Sequence, residues 1–177
     1  MARSSMADLI TQVRELIADE DGATFSDDTV QTALDATRLS FRYRPLVAEI
    51  TYPSRVATYL TYETDETGWE QEYEITDHQY EPVADDGDSE PLLGKFRFTA
   101  SQEPPLYISG HAYDAYAAAA DLLERWAAKV ALDFDFSTDS GSFSRNQKQA
   151  TLREMARVYR AQAKPVFHRF RRDDEDG

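Results

Sequence analysis

The sequence contains no cysteine among its 177 residues, which excludes both a disulfide framework and a thiolate metal site. No apolar run approaches the roughly 18 residues needed to cross a bilayer, and the opening residues MARSSMADLI lack the hydrophobic region of a signal peptide. We therefore expect a soluble protein that works where it is made and has no contact with a membrane. With 41% hydrophobic and 12% aromatic residues, the composition is that of a folded domain.

The patterns that carry catalysis are also missing. The sequence has no HExxH motif, no GxSxG motif and no lysine-bearing glycine loop for a phosphate. Its three histidines lie far apart in the chain, at His78, His111 and His168. The alternating Glu70, Glu72 and Glu74 share one face of a predicted strand but do not converge on a single cation. We expect no enzyme, no cofactor and no metal site.

Positive charge is scarce and unevenly placed. The chain has 19 lysines and arginines against 33 acidic residues, a formal net charge of −14. Residues 60–103 contain thirteen acids against two bases, a charge of −11, whereas residues 142–172 contain nine bases against one acid, a charge of +8. Such a split describes either ordinary solvated faces or unlike surfaces of identical subunits that pair head to tail, which forms a ring when the rotation closes.

Hydrophobic spacing predicts helices at both ends of the chain and strands between them. The first helix covers about residues 6–18, and the second begins after the N-cap Ser26 and runs to about residue 43. Residues 47–109 alternate between apolar and polar, which predicts three or four antiparallel strands, with Glu70, Glu72 and Glu74 forming an acidic face. We expect Lys95 and Arg97 to lie across from these glutamates.

Two long helices follow, joined by an elbow. The alanines of the first helix, including Ala117 and Ala120, indicate either close packing within the subunit or contact with a neighbouring subunit. Phe134, Phe136 and Phe143 in the elbow must cover apolar surface, so we expect a packed corner. The closing helix is basic, and its candidates for a subunit interface are Arg145, Lys148, Arg153, Arg157 and Arg160.

A short segment of aromatic and basic residues follows Pro165. An exposed tail of this composition is costly unless something covers its aromatic rings, so the tail either folds back onto its own domain or orders on a partner as a docking peptide. The docking residues would be Val166, Phe167, His168, Arg169, Phe170, Arg171 and Arg172. Together these features predict an α+β fold in which a small four-helix bundle carries an inserted antiparallel β-sheet lobe. We place one domain over residues 1–177, with helical parts at 6–45 and 111–163, the strand insertion at 47–109 and the tail at 165–177.

The order of these elements resembles that of the head-to-tail adaptor proteins of long-tailed bacteriophages, also called connector or head-completion proteins. The similarity covers residues 7–45 and 94–163, and its strongest pieces are YDAYAAAADLLERWAAK at 113–129 and DFDFSTDSGSFSRNQK at 133–148. The resemblance implies a noncatalytic virion protein, made in the host cytoplasm, of which about twelve copies form a ring beneath the portal at the virion neck. Its partners would be its own copies, the portal protein and the next neck protein, or stopper, while DNA passes through the channel without specific binding.

Two other classes stay open. One is a different neck or tail-completion protein, such as a stopper or tail terminator, which we expect to be dominated by strands with fewer long helices. The other is an acidic inhibitor that mimics DNA with the carboxylates of residues 60–103, although the basic closing segment disfavours it.

Overall fold

Two short amphipathic helices begin the chain. In a computed structural model that describes residues 2–53, 55–132 and 145–164, a 3-10 turn at Ser4–Met6 leads into α1 (Ala7–Ile17), and α2 spans Asp27–Asp35. The hydroxyl of Ser26 accepts a hydrogen bond from the backbone N–H of Thr29 at 3.3 Å, so the predicted N-cap of α2 is confirmed.

The loop between α1 and α2 is organised around one arginine. The guanidinium of Arg14 donates to the carbonyls of Asp19 and Phe25, at 3.0 and 2.9 Å, and to the carboxylate of Asp27 at 2.6 Å. The buried Asp19 side chain accepts two backbone N–H groups of the same loop. Because these bonds satisfy the loop's polar groups internally, α1 and α2 are held as a fixed hairpin.

The segment after α2 is a strand rather than the continuation of a helix. α2 ends at Asp35, and β1 covers Leu39–Thr51, so the prediction that the second helix reaches residue 43 is wrong. Tyr43 adopts a positive φ of 53° at a bulge in β1, and the hydroxyl of Ser109 accepts its N–H at 3.0 Å. The apolar spacing through Phe41 is typical of a helix, but this segment forms a strand because it pairs with residues 106–112, far away in the sequence.

Five antiparallel strands form one sheet in the order β3-β5-β1-β2-β4. The remaining strands are β2 (Thr58–Glu63), β3 (Glu74–Thr76), β4 (Lys95–Arg97) and β5 (Leu106–Ala112). The first half of β1 pairs with β5, from Leu39 opposite Ala112 to Leu46 opposite Leu106. The second half pairs with β2, from Val47 opposite Glu63 to Thr51 opposite Thr58. The sheet therefore extends beyond the predicted limits of 47–109 at both ends.

α3 is the common partner of the other helices. It covers Ala115–Leu132, α4 covers Arg145–Gln162, and α1, α2 and α4 all pack on α3. α1 and α2 are 11 and 9 residues long, against 18 residues for each of α3 and α4. At 1.5 Å per residue the short helices cover only about half the length of the long ones.

The chain is thus of mixed α+β composition, but the predicted small four-helix bundle is wrong. The helices form a layer built around α3 and do not close around a shared axis. Two apolar cores result, because the helices bury one set of side chains and the sheet buries another. The helical core includes Leu9, Val13 and Leu122, and the sheet core includes Tyr62 and Trp69.

The start of α3 and the end of α4 are fastened together by one carboxylate. Asp114 caps α3 by accepting the N–H of Ala117 at 2.9 Å, and its second oxygen accepts the backbone N–H of Lys164 at 2.6 Å. The ammonium of Lys164 also pairs with Glu66 of the sheet region at 2.9 Å. The last described residue is therefore fixed to the body of the protein.

Candidate interaction surfaces

Glu70, predicted as part of an exposed acidic face, lies buried where the helices meet the sheet. Its side chain is 4% exposed. One carboxylate oxygen accepts from the hydroxyl of Ser5 and the other from the phenol of Tyr113, each at 2.7 Å. Arg3 Nε lies 3.2 Å from the carboxylate, which is close enough for an ion pair but lacks hydrogen-bond geometry. Arg3 also donates to Tyr113 Oη at 3.0 Å and to Asp35 at 2.7 Å.

This cluster joins the N-terminal segment, the sheet region and the start of α3, and the sequence did not predict it. Burial, reinforced by the neighbouring Glu70 carboxylate, raises the pKa of the Tyr113 phenol, so the phenol stays protonated as a donor. The donors reach Glu70 from 43 and 65 positions away. Period-two spacing assigns a residue to a face but gives no information on such distant partners.

The other two predicted acidic residues, Glu72 and Glu74, are exposed. Only Glu74 belongs to a strand, because β3 is limited to three residues. Further exposed acids of the sheet region include Glu49, Glu63, Asp65, Glu81, Asp88 and Glu103. The acidic surface predicted for this lobe is therefore present, and it is spread over loops more than over one strand face.

Lys95 and Arg97 do not lie across from Glu70, Glu72 and Glu74 as expected. Their strand, β4, pairs with β2, where Lys95 meets Glu63 at 2.9 Å. This pairing raises the pKa of the Lys95 ammonium. Arg97 instead pairs with Glu90 at 3.1 Å. The alternation of residues 95–97 is seen in β4, but the predicted neighbouring strand was wrong.

α4 presents Arg153, Arg157 and Arg160 to solvent. Arg153, Arg157 and Arg160 line a shallow depression of about 420 Å³ together with Glu124 of α3. Arg160 pairs with Glu124 at 2.8 Å, and Arg157 pairs with Glu154 at 2.6 Å. α4 carries five bases against one acid, so it keeps an excess of positive charge after these pairs.

The remaining interface candidates are placed differently. Lys148 lies over the ring of Trp126, with its ammonium 5.1 Å from the ring centroid, which is the geometry of a cation–π contact within the subunit. Ala117 is partly exposed, whereas Ala120 is fully buried within its own chain and offers no surface to a neighbouring copy. Arg145 is the first residue of α4.

An apolar strip runs beside the basic residues of α4. It forms a depression of about 470 Å³ lined mostly by apolar atoms, among them those of Met155, Val158 and Tyr159. A second exposed apolar set lies at the end of the β1–β2 hairpin, where Ile50, Tyr52 and Val56 are 51%, 65% and 67% exposed. These residues fall within the predicted strand region 47–109, but the alternation did not reveal their exposure, since the partner strand decides which face is covered.

Two sets of predicted residues lie outside the described part of the chain. They are the elbow phenylalanines Phe134, Phe136 and Phe143, and the tail residues Val166, Phe167, His168, Arg169, Phe170, Arg171 and Arg172. Both remain predictions from the sequence.

Within residues 2–53, 55–132 and 145–164, no group of three or more histidine, cysteine or acidic side chains is arranged to hold a metal ion. Across the same residues, no helix combines the length and the apolar character that a membrane crossing requires. No protein-family model, curated protein or solved structure matches the chain. Any functional conclusion must therefore rest on the surfaces described above and on the sequence.

Proposed function

We propose that this protein is a noncatalytic structural component of a bacteriophage virion that forms a ring beneath the portal, joins the DNA-filled head to the tail and extends the DNA channel. The observation that carries the proposal is the separation of charge within one subunit. The exposed arginines of α4 lie in the helical layer, whereas exposed carboxylates such as Glu72 and Glu81 belong to the sheet region.

Opposite charges on separate elements suit a heterologous contact between identical copies. In such a contact the basic surface of one subunit meets the acidic surface of the next, and repetition around an axis closes a ring. Charge complementarity sets the orientation of the partners and speeds their encounter. The apolar strip of α4 beside Arg153 and Arg157 supplies area that a stable contact can bury.

The acidic surface also suits a conduit for DNA. Exposed carboxylates repel phosphates and give the genome no binding site along its path, because affinity for nucleic acid depends on lysine and arginine. The tail suits an anchor, because it leaves the body at Lys164, a residue tied to both Asp114 and Glu66. Residues 166–172 would then dock on the portal.

The first test is the mass of the full chain, alone and mixed with empty portal-bearing capsids, measured by light scattering and negative-stain microscopy. We expect a ring at the portal vertex. The variant Arg157→Glu, which reverses a charge on α4, should weaken ring formation, whereas the matched control Arg38→Glu alters an exposed arginine outside α4 and should not.

Removal of the residues from Pro165 onward tests the anchor separately. The shortened protein should lose its attachment to the portal, and unchanged joining to capsids would refute the anchor role. A full chain that ignores capsids but inhibits a host nuclease or polymerase would favour the DNA-mimic alternative. The two 18-residue helices disfavour a strand-dominated stopper or terminator.

A further inference from the structure

A cleft with an acidic rim lies between α1 and the 3-10 turn Pro91–Leu93. Its volume is about 470 Å³, and Asp8 and Glu15 line it from α1 while Glu90 lines it from the opposite side. Leu92 and Leu93 add apolar surface, and Leu93 is 58% exposed. The cleft therefore combines carboxylates with a place for an apolar ring.

A second cavity lies next to this cleft, at the end of α4. It has a volume of about 230 Å³ and shares Gln12 and Leu92 with the first, so the two are adjacent. Its wall also includes Gln162 and Lys164. The two cavities, together called the groove below, therefore lie side by side between the last described residue, Lys164, and the carboxylates of Asp8 and Glu15.

The groove contains acceptors that the described residues do not satisfy. Gln12 Oε1 is buried and has no hydrogen-bond partner among them. The Glu15 side chain is exposed and forms no ion pair within residues 2–53, 55–132 and 145–164. Asp8 and Glu90 have partners, Gln71 and Arg97, yet each carboxylate can accept further bonds. The groove is therefore suited to a ligand rich in N–H donors.

The chain itself continues with such a ligand. Residues 165–172 read PVFHRFRR, which places two phenylalanines and three arginines directly after Lys164. An extended chain covers roughly 3.3 Å per residue, so Arg169 can reach roughly 17 Å from Lys164. Asp8 and Glu15 each lie about one helical turn from the shared wall residue Gln12, or about 4.5–6 Å along α1. The segment after Lys164 is therefore long enough to reach the carboxylates of the groove, and its charge is opposite to theirs.

We propose that residues 165–172 dock in this groove of their own subunit, with the phenylalanines against Leu92 and Leu93 and the arginines among Asp8, Glu15 and Glu90. The docked segment covers its own aromatic rings while the subunit is free. The same segment becomes available when a partner competes for it. This inference concerns the isolated chain and does not depend on the proposed virion function.

The absence of cysteine makes a direct test simple. A nitroxide spin label on the variant His168→Cys of the full chain should broaden the backbone amide signals of residues 8–15 and 89–93 selectively. Loss of docking should follow from Glu15→Lys. Loss of an exposed ion pair changes an equilibrium by up to about fivefold, and like-charge repulsion contributes a further factor of about two, so the ratio of docked to free tail should fall about tenfold. Glu20→Lys, an equal change at an exposed residue that does not line the groove, should leave the broadening intact.

Three results would overturn the proposal. One is broadening that misses the groove. Another is broadening that Glu15→Lys and Glu20→Lys affect equally. The third is broadening of the same strength in a mixture of isotope-labelled protein without nitroxide and nitroxide-bearing protein without isotope, since the tail would then dock on a second copy. Capsid binding plays no part in these measurements, so they remain decisive even if the virion function is refuted.

Discussion

Replacement of Glu70 by alanine should destabilise the protein by about 3 kcal/mol. The buried carboxylate accepts two hydrogen bonds at 2.7 Å, from Ser5 and Tyr113. A hydrogen bond to a charged group contributes about 1.5–3 kcal/mol, and the substitution leaves both hydroxyls without their acceptor. The pairing with Arg3 adds little, because that side chain is 38% exposed and can be solvated. Part of the loss is offset, since the carboxylate no longer has to be desolvated.

The assay is urea unfolding followed by tryptophan fluorescence, because Trp69 lies in the sheet core and Trp126 packs against the helical core. Glu70→Gln should cost about 1–2 kcal/mol, since an amide oxygen can still accept one hydroxyl. Glu72→Ala, at an exposed position of the same segment, should change the free energy of unfolding by less than about 0.5 kcal/mol. A loss below about 1 kcal/mol for Glu70→Ala, with an unchanged denaturant slope, would refute the assignment of a buried junction.

Two further outcomes are expected. Gly68→Ala should lower the free energy of unfolding in urea by more than about 2 kcal/mol, because Gly68 has a φ of +76° and an added Cβ would lie 2.3 Å from a backbone oxygen. The control is Gly87→Ala, since nothing lies within 4 Å of a Cβ added there. Equal losses of stability in the two variants would contradict the strain argument. Stability should also decrease between about pH 10 and pH 12, since burial raises the pKa of Tyr62 from 10.0 to about 12. The neutral phenol is favoured in the folded state, so this contribution is complete below pH 10 and is lost as the pH rises through the folded pKa, at about 1.4 kcal/mol per pKa unit. A pH scan of the urea midpoint should show a shallower decrease for Tyr62→Phe, and parallel curves would count against this origin.

Much of the secondary structure could be predicted from the sequence, because several elements have a clear period. α3 is apolar along much of its length, Leu152, Met155 and Tyr159 recur at helical spacing in α4, and Ser26 marks the start of α2. The prediction that residues 36–43 are helical was wrong for a physical reason. Thr37 and Phe41 continue the helical spacing of Val30 and Leu34, yet the pairing of β1 with β5 outweighs this weak local preference.

The positions of individual side chains were harder to predict from the sequence. Ala120 could be assigned to a helix face from its spacing, but not to the interior of its own chain. Glu70 could be assigned to an acidic strand, but its burial depends on groups at the N-terminus and at the start of α3. Both outcomes depend on which elements meet in three dimensions, and no short window of sequence contains that information.

The pairing of β1 with β5 has a consequence for synthesis on the ribosome. Leu39 finds its partner at Ala112, and the apolar faces of α1 and α2 are covered by α3, which follows directly after that strand. Until both are synthesised, the two short helices of the nascent chain have only each other to pack against, and isolated helices of this length are marginal in water. Contacts so distant along the chain form late. α1, α2 and the first half of β1 therefore depend on β5 and α3, which lie beyond residue 105, to become folded.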